Sequence, residues 1–323
     1  MKSLKFIPVL AVAALLSACG TSKSVSVKAP KLLNKGKEVQ LQEFVDGASE
    51  ALSGLETLKA ETVFGSKTMN STSSWEEKES LKRDGKLYGE SREAGVEKVS
   101  VKADAKNYVM SAEMSANSEQ KVKISYGGQT RYVSQKQKSM LQEIEVEGEK
   151  YMGQVNVTEE AYSVLSKITD ENPMSELFNQ MMSSAITSGA KLSFAQSFIL
   201  MAPTLSDEEL ENYKFYVNGN VYTVEYKTED ASEILNSSDE VVANEVDSLT
   251  SIYQFKLDDK DLKTTSLQEY KETKTYVADY DEYYEGDVYV SEENEYTQFE
   301  CKDAKVSLKP VSCEGYKNMG SLI

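Results

Sequence analysis

An alternation of apolar and polar side chains through residues 59–157 constrains this chain more than any other feature. In 98–102 and 121–126, a valine, isoleucine or tyrosine occupies every second position, which is the period of a β-strand with one buried face. Asp84-Gly85 and Gly127-Gly128 separate such segments and are favoured in tight turns. The pattern predicts short strands in an antiparallel meander with one face in water.

Other stretches follow the helical period. Residues 41–55 carry a single apolar stripe, and Asn172-Pro173 is a favourable start for a second helix that continues to about residue 186. A further apolar stretch runs from Leu192 to Met201. We also predict a helix after Thr158 and a helix or loop over residues 239–249, so that a helical insertion interrupts the strands.

Strands return after this insertion. Asn218-Gly219 lies between two alternating segments and predicts a hairpin. Residues 258–260 indicate another turn, and further strands are expected between residues 274 and 308. The pattern as a whole predicts one α+β domain over residues 38–323, built of a curved antiparallel sheet, an N-terminal helix and the helical insertion.

The N-terminus has the features of an export signal. Lys2 and Lys5 precede an apolar run over residues 6–16 that is too short to span a bilayer. The run ends in Leu16-Ser17-Ala18-Cys19, which resembles the lipobox of bacterial lipoproteins. The resemblance implies a signal peptide over residues 1–18, and a diacylglycerol thioether, often with a further acyl chain such as palmitate, on Cys19. The protein would then be extracytoplasmic, lipid-anchored to a membrane of the bacterial cell envelope. The alternative is an ordinary signal peptide with an incidental cysteine.

Residues 19–37 have the composition of a flexible tether. Between residues 20 and 37 there are five lysines and no acidic residue, and serine is frequent. The lysines either lie on anionic head groups next to the anchor or merely keep the spacer soluble.

The order of these elements resembles that of the LolA/LppX-type lipoproteins, in which an N-terminal helix, a long meander, a helical insertion and more hairpins follow a lipobox. The resemblance implies a half-barrel sheet with the helices packed on its concave side. It also implies a hydrophobic cavity between sheet and helices that holds acyl chains or another lipid-like ligand. The function implied is to bind or carry a hydrophobic ligand near the membrane.

The helical insertion supplies the candidate contacts for such a ligand, because methionine and phenylalanine form a flexible apolar surface. The candidates are Met174, Leu177, Phe178, Met181, Met182, Phe194, Phe198 and Met201. The same stripe is typical of core packing between a helix and a sheet, and the sequence leaves both interpretations open.

The C-terminal region is acidic and rich in tyrosine. Residues 279–295 carry eight acidic residues and no lysine or arginine, and 12 of the 19 tyrosines lie between residues 213 and 296. Such carboxylate density suits Ca²⁺, but Tyr283, Tyr284 and Val290 stand where an EF-hand needs a ligand, glycine and glutamate, so no metal site is predicted. A solvated strand edge has the same composition. The alternative function is a structural or interaction lipoprotein with a filled core, whose acidic sheet meets an unknown protein partner.

Two cysteines remain once Cys19 takes lipid. In an oxidising compartment, Cys301 and Cys313 predict a disulfide that closes a short C-terminal loop. Two free thiols are the alternative.

The composition excludes several functions. The sequence has no histidine, which rules out imidazole catalysis and His-ligated zinc or haem. The net charge of −17, which becomes more negative once Lys2 and Lys5 are removed, disfavours nucleic acid as a partner. No nucleophile elbow, P-loop or CxxC motif is present. We therefore predict a protein that is not an enzyme and needs no cofactor, with a hydrolase built on paired carboxylates as the remaining alternative.

Overall fold

Strands dominate the structure. The computed structural model describes residues 24–61, 65–124, 127–235, 240–257, 261–276 and 286–321. The signal peptide, Cys19 and residues 279–285 of the acidic segment lie outside these ranges. Within them the chain forms one sheet of 13 strands.

The first seven strands precede the helical insertion. They are β1 (Lys37–Val39), β2 (Lys67–Arg83), β3 (Lys86–Asp104), β4 (Val109–Ile124), β5 (Gly127–Val146), β6 (Glu149–Asn156) and β7 (Ala161–Lys167). The remaining strands are β8 (Tyr213–Asn218), β9 (Val221–Leu235), β10 (Val241–Lys256), β11 (Asp261–Tyr276), β12 (Asp287–Asp303) and β13 (Lys317–Ser321). The helices are α1 (Leu41–Glu61), α2 (Met174–Gly189), α3 (Leu192–Met201) and the single turn α4 (Asp207–Leu210).

The strand order is β1-β8-β9-β10-β11-β12-β2-β3-β4-β5-β6-β7-β13. Neighbouring strands are antiparallel, except that β13 pairs with β7 in parallel at one edge. At the centre of the sheet, a strand from the C-terminal part of the chain pairs with one from the N-terminal part. β12 pairs with β2 along its length, from Val288 opposite Lys82 to Asp303 opposite Lys67.

The α+β half-barrel predicted from the sequence is wrong. Strands account for 60% of the chain and helices for 17%, so the protein is mainly β. The predicted short strands are also wrong, since β3 has 19 residues and β5 has 20. The helices predicted from residues 41 and 174 are confirmed, as is the hairpin at Asn218-Gly219.

Two predicted helical segments are strands, and burial on both faces explains the first. The residues after Thr158 form β7, in which Tyr162 and Val164 pack against one apolar cluster while Leu165 packs against another. A strand that is covered on both faces loses the alternation by which it is recognised. The segment 239–249, expected as a helix or loop, belongs largely to β10, which pairs with β9 and β11 along its length.

The helices lie on one face of the sheet, here called the inner face. Phe44 of α1 and Phe178 and Met182 of α2 are 0% exposed and belong to one cluster with inner-face residues such as Phe255 and Phe299. Burying each of these large side chains contributes about 1.5–3 kcal/mol. No helix in the described part of the chain is both long and apolar enough to cross a membrane.

The turn between α2 and α3 is fixed to the sheet by two aromatic side chains. The ring of Phe299 fills the space beside Gly189 that a side chain there would need. The hydroxyl of Tyr253 donates to the carbonyl oxygens of Ala190 and Lys191, at 3.2 and 3.3 Å. Burial raises the pKa of Tyr253, so this hydroxyl keeps its proton and remains a donor.

A second apolar cluster lies on the opposite, outer face, across β4 to β7. Its buried members are Val109, Met140, Ile144 and Val155. Leu308, Val311, Cys313 and Tyr316 cover it from the C-terminal segment. The sheet is therefore covered on both faces in this region.

The packing of Trp75 on Gly95 gives a test of the inner face. A Cβ added at Gly95 would collide with the Trp75 ring, so we expect Gly95→Ala to lower the free energy of unfolding by about 1–3 kcal/mol. Gly89 lies on the same strand and has no atom nearer than 3.8 Å to such a Cβ. Urea unfolding of Gly89→Ala should match the wild type; equal destabilisation by both substitutions would contradict the packing described.

Candidate functional site

The outer face is crossed by the N-terminal segment. Residues 24–36, here called the N-terminal strap, run from β4 at one side to β9 and β10 at the other and then enter β1. Five strand spacings separate β4 from β10, about 24 Å. Eight residues separate Val25 from Leu33 and span at most about 28 Å when extended. The strap is therefore nearly straight.

Its first anchor is a charged pair that holds the peptide of Val25. The carboxylate of Glu119 accepts the Val25 N–H at 2.6 Å, and Arg92 donates to the Val25 carbonyl oxygen at 2.8 Å. Ser24 also donates to Glu119, at 3.0 Å, and Lys121 pairs with the second carboxylate oxygen. Glu119 is 1% exposed.

These contacts keep Glu119 ionised. Burial alone would raise the pKa of this carboxyl, but the bonds from Lys121, the Val25 N–H and Ser24 outweigh it and lower the pKa to about 2. The anchor is therefore charged at every physiological pH.

Its second anchor is Gln254 on β10, which is 1% exposed. The side-chain amide accepts the Leu33 N–H at 2.7 Å and donates to the Leu33 carbonyl oxygen at 3.1 Å. It also donates to the Thr223 hydroxyl at 2.9 Å. The backbone N–H and carbonyl of an extended segment are usually paired with a neighbouring strand. Here the Gln254 amide forms both hydrogen bonds instead. Two residues later, Lys35 pairs with Glu225 at 2.7 Å.

The C-terminal segment crosses the outer face in the same manner. Residues 304–316, here called the C-terminal strap, are held by Gln142, which is 2% exposed. Gln142 donates to the Val311 carbonyl oxygen and accepts the Val311 N–H, both at 2.8 Å. Asp104, 1% exposed, accepts the Leu308 N–H at 2.8 Å.

The N-terminal strap lies within residues 19–37, for which the sequence predicts a flexible tether. From Ser24 onward the segment makes the contacts given above. Ser24 is five residues from Cys19, a distance of at most about 17 Å along the chain.

The inner face carries acidic residues where β12, β2 and β3 extend beyond the helices. Side chains alternate across a strand, so the inner-face positions continue in steps of two from Cys301, Met69 and Val101 of the core. They include Glu77, Glu79, Glu93, Glu97, Glu293 and Glu295, here called the inner acidic surface.

The register places these carboxylates side by side. Glu77 lies directly opposite Glu293 on one neighbouring strand and opposite Glu93 on the other. Like charges in directly opposite positions destabilise a sheet. Burial raises the pKa of Glu97, and Glu79 accepts hydrogen bonds from Ser91 and Tyr289 at 3.0 and 2.8 Å.

The proposed ligand-contact residues pack in the core between α2, α3 and the sheet. Leu177, Phe178 and Met182 are buried in the inner cluster. Met174, Met181 and Phe198 are partly buried against it, whereas Met201 is 62% exposed. The side chain of Phe194 lies outside the described part of the structure. Two grooves on the described residues lie elsewhere and are lined by other elements.

The structure contains no disulfide between Cys301 and Cys313, where the sequence predicts one. The two residues belong to different apolar clusters. Cys301 is buried in the inner cluster, and Cys313 packs against the outer one. Burial raises the pKa of Cys313, which disfavours the reactive thiolate.

Metal chemistry has no support among the described residues, which contain no group of three or more Cys, Asp or Glu side chains arranged to hold an ion.

Within the predicted acidic segment, Asp287 is 0% exposed and is held by Arg83 at 3.0 and 3.1 Å. Its role there is structural.

Sequence reasoning missed the acids of β2 and β3 and the buried anchors. Glu77 and Glu93 occur among alternating charges that look like an ordinary solvated strand, and only the β12–β2 pairing brings them beside Glu293. Gln142 and Gln254 occupy polar positions that alternation assigns to solvent. The serines and lysines of the strap give no signal for docking.

Comparison with known proteins adds little. No family model and no curated protein matches the sequence. The crystal structure of the outer membrane protein OprG from Pseudomonas aeruginosa aligns with 74% of this chain and 97% of its own, at 7% identity and a TM-score of 0.19. Pseudomonas aeruginosa OccK7 (OpdD) aligns with 72% of this chain and 98% of its own, at 6% identity and a TM-score of 0.18. The beta domain of the Bordetella autotransporter BrkA covers 75% of this chain and 100% of its own, at 6% identity and a TM-score of 0.13. Such scores do not establish a shared fold.

The two glutamine anchors allow a reciprocal test. We expect Gln254→Leu to leave the Leu33 peptide unpaired and to lower the free energy of unfolding by about 1–3 kcal/mol. Hydrogen exchange at Leu33 should accelerate while Val311 stays protected. Gln142→Leu should have the opposite pattern. Loss of protection at both positions in either variant would mean that the straps are not held independently.

The pH dependence of the first anchor follows from Glu119. Because its folded pKa of about 2 lies below the ordinary 4.5, the stability contributed by the ionised group is fully present above about pH 4.5 and is lost as the pH falls towards 2. We expect the urea midpoints of the wild type and Glu119→Gln to differ near pH 6 and to converge near pH 2.5. A difference that stays constant with pH would contradict this assignment.

Proposed function

We propose that this protein is a lipid-anchored, non-enzymatic lipoprotein of the bacterial cell envelope that binds a cationic partner on its inner acidic surface. The lipobox-like Leu16-Ser17-Ala18-Cys19 supports the anchor and the location. The strap contacts beginning at Ser24 would hold the sheet close to that anchor, since only four residues lie between Cys19 and Ser24.

The observation that carries the binding role is the register of the inner acidic surface. Three carboxylates, Glu293, Glu77 and Glu93, stand directly opposite one another on neighbouring strands. Such rows cost stability, and local departures from a stable arrangement are expected where function requires them. Glu77 and Glu93 are exposed and Glu293 is half-buried, so a partner can reach them.

A cationic partner satisfies this surface best. A bound ammonium or guanidinium group would add charge-assisted hydrogen bonds to these carboxylates. Trp75 lies within the same surface, directly beside Glu295 in the register. Its indole ring is the strongest of the aromatic partners for a cation. A basic segment of a protein fits this chemistry.

We favour this role over the carriage of a hydrophobic ligand. Phe178 and Met182 of α2 pack in the inner cluster and are 0% exposed, so they are core residues. Native mass spectrometry followed by lipid extraction separates the two functions, because a carrier would retain lipid and the proposed binding protein would not.

The anchor is tested at Cys19. We expect the protein produced in a bacterium to lose residues 1–18, to gain the mass of a diacylglyceryl group and to enter the detergent phase on phase separation. Cys19→Ala should remain in the aqueous phase. An unmodified thiol at position 19 in the wild type would overturn the anchor.

The binding surface is tested with a fluorescent ten-lysine peptide. We expect the triple variant Glu77→Gln, Glu93→Gln and Glu293→Gln to weaken binding by about fivefold or more. The matched control changes three exposed acids elsewhere, Glu159→Gln, Asp170→Asn and Glu171→Gln. Equal loss of binding in both triples would mean that only the net charge acts, and would overturn the site.

A further inference from the structure

The free ends of the β2–β3 and β4–β5 hairpins expose apolar side chains. Leu87 is 47% exposed, Tyr88 45%, Val122 41% and Ile124 57%. These residues, with Lys82, Lys86, Lys123 and Arg131 around them, are here called the tip surface. Exposed apolar groups of this kind, rimmed by polar residues, mark interaction sites.

The charge of the tip surface is opposite to that of the protein. Lys82, Lys86 and Arg131 are exposed, and none of them forms an ion pair among the described residues. Two nearby acids are already engaged, since Glu90 pairs with Lys123 at 3.1 Å and Glu79 accepts from Ser91 and Tyr289. Asp84 lies in the turn between Lys82 and Lys86 and offsets part of their charge. Cations therefore face outward here, in a chain with a net charge of −17.

The β9–β10 hairpin, at the same end of the sheet, shows that apolar tips alone do not produce this pattern. Leu235 and Val241 are 51% and 40% exposed, which is comparable with the tip surface. Between residues 228 and 251, however, the chain has several acids and no lysine or arginine. The β2–β5 tips therefore differ from the β9–β10 tip in combining exposed apolar groups with nearby cations.

The start of the N-terminal strap lies close to the same tips. Ser24 bonds Glu119 on β4, and five residues further along that strand is Ile124 at its end, about 17 Å away. Ser24 is five positions after Cys19, and this stretch of chain spans the same distance at most. A lipid on Cys19 would therefore bring the bilayer surface within reach of the tips.

A groove lies between the two hairpins. Its volume is about 860 Å³, and its lining includes Ser91, Val122, Lys123 and Ile124. The groove is large enough for a lipid head group. Its wall carries the cations Lys78, Arg92, Lys121 and Lys123 together with the carboxylates Glu79, Glu90 and Glu292.

We propose that the tip surface is the part of the protein that contacts the membrane, with Val122 and Ile124 entering the bilayer interface and Lys82 and Lys86 meeting the phosphates of anionic lipids. The orientation of the tips towards the membrane rests on the lipid anchor of the proposed function. The affinity of the tips for anionic lipid is independent of that anchor. The inner acidic surface is repelled by the same lipids, but this repulsion is screened within about 8 Å at physiological salt, so the local charge of the tips determines the orientation.

The test uses the mature chain, residues 19–323, with Cys19→Ala, so that no acyl chain contributes. All contacts of the described fold lie within it. We expect this protein to sediment with vesicles of equal parts phosphatidylglycerol and phosphatidylcholine, to bind less as salt rises, and to bind phosphatidylcholine vesicles at least fivefold less. Absence of binding to the anionic vesicles would overturn the tip surface.

Paired variants locate the contact. Lys82→Gln with Lys86→Gln should weaken binding about fivefold or more, and Val122→Ser with Ile124→Ser should weaken it similarly. The matched controls are Lys305→Gln with Lys309→Gln in the C-terminal strap and Leu235→Ser with Val241→Ser on the β9–β10 tip, which should bind as the parent does. Circular dichroism and urea midpoints establish that each variant is folded. Equal losses in variants and controls would overturn the assignment.

Depth of insertion gives a second readout that does not depend on affinity. Tryptophan emission from Ile124→Trp should be quenched by vesicles with brominated acyl chains, whereas that from Leu235→Trp should not. Both variants keep Trp75, so its contribution is common to them. Quenching at Leu235→Trp alone would place the other hairpin at the bilayer and overturn the proposal.

The anchor and the tip surface can fail separately. An unmodified Cys19 together with intact vesicle binding would overturn the anchor only. A lipidated Cys19 in a protein whose Cys19→Ala form ignores anionic vesicles would overturn the tip surface only.

Discussion

The fold depends on the pairing of buried side-chain amides with the peptides of the two terminal straps. A sheet of 13 strands has two large faces, and the helices cover part of only one. An extended segment that crosses the other face brings peptide groups that must find partners or lose about 1–3 kcal/mol each. Gln254 and Gln142 meet this need in the same way, each bonding both the N–H and the carbonyl of one peptide.

Charged groups hold a peptide in the same way at the first anchor of the N-terminal strap. Glu119 and Arg92 divide the two bonds to Val25 between them. A charged anchor is stronger than a neutral one but costs more when it is broken, because it leaves a buried ion unpaired. It is also the anchor nearest to Cys19, so the strongest contact lies where the body of the protein meets the proposed lipid attachment.

The local elements could be predicted from the sequence because their patterns are local. The apolar stripe of α2, from Leu177 to Ile186, is visible at a spacing of three and four residues, and Asn218-Gly219 indicates its hairpin directly. The fold class could not be predicted in this way. β7 lacks alternation because Tyr162 and Leu165 are both partly buried on opposite faces, and a strand covered twice resembles a helix or a core segment.

The candidate sites required contacts that are distant in sequence. The acidic character of β12 was visible, but the pairing of Glu293 with Glu77, which turns a charged strand into a surface, joins residues far apart in the chain. The glutamine anchors gave no signal, since a polar residue in a strand is normally a solvated one. These glutamines are buried because the terminal straps cross over them. The path of a strap depends on the whole fold and is not visible in the sequence around the glutamine.

The position of β12 beside β2 sets the order in which the sheet can assemble. Arg83 and Asp287, which meet at one end of this pairing, are 204 positions apart. Closing so long a loop adds little to the equilibrium cost, which grows only logarithmically, but long-range strand pairing is slow. Until residues 287–303 have been synthesised, the edges of β2 and β11 have no native partner and can pair with a strand of another chain. A chain carried across a membrane in an unfolded state avoids this hazard, because both partners of the central pair then become available together.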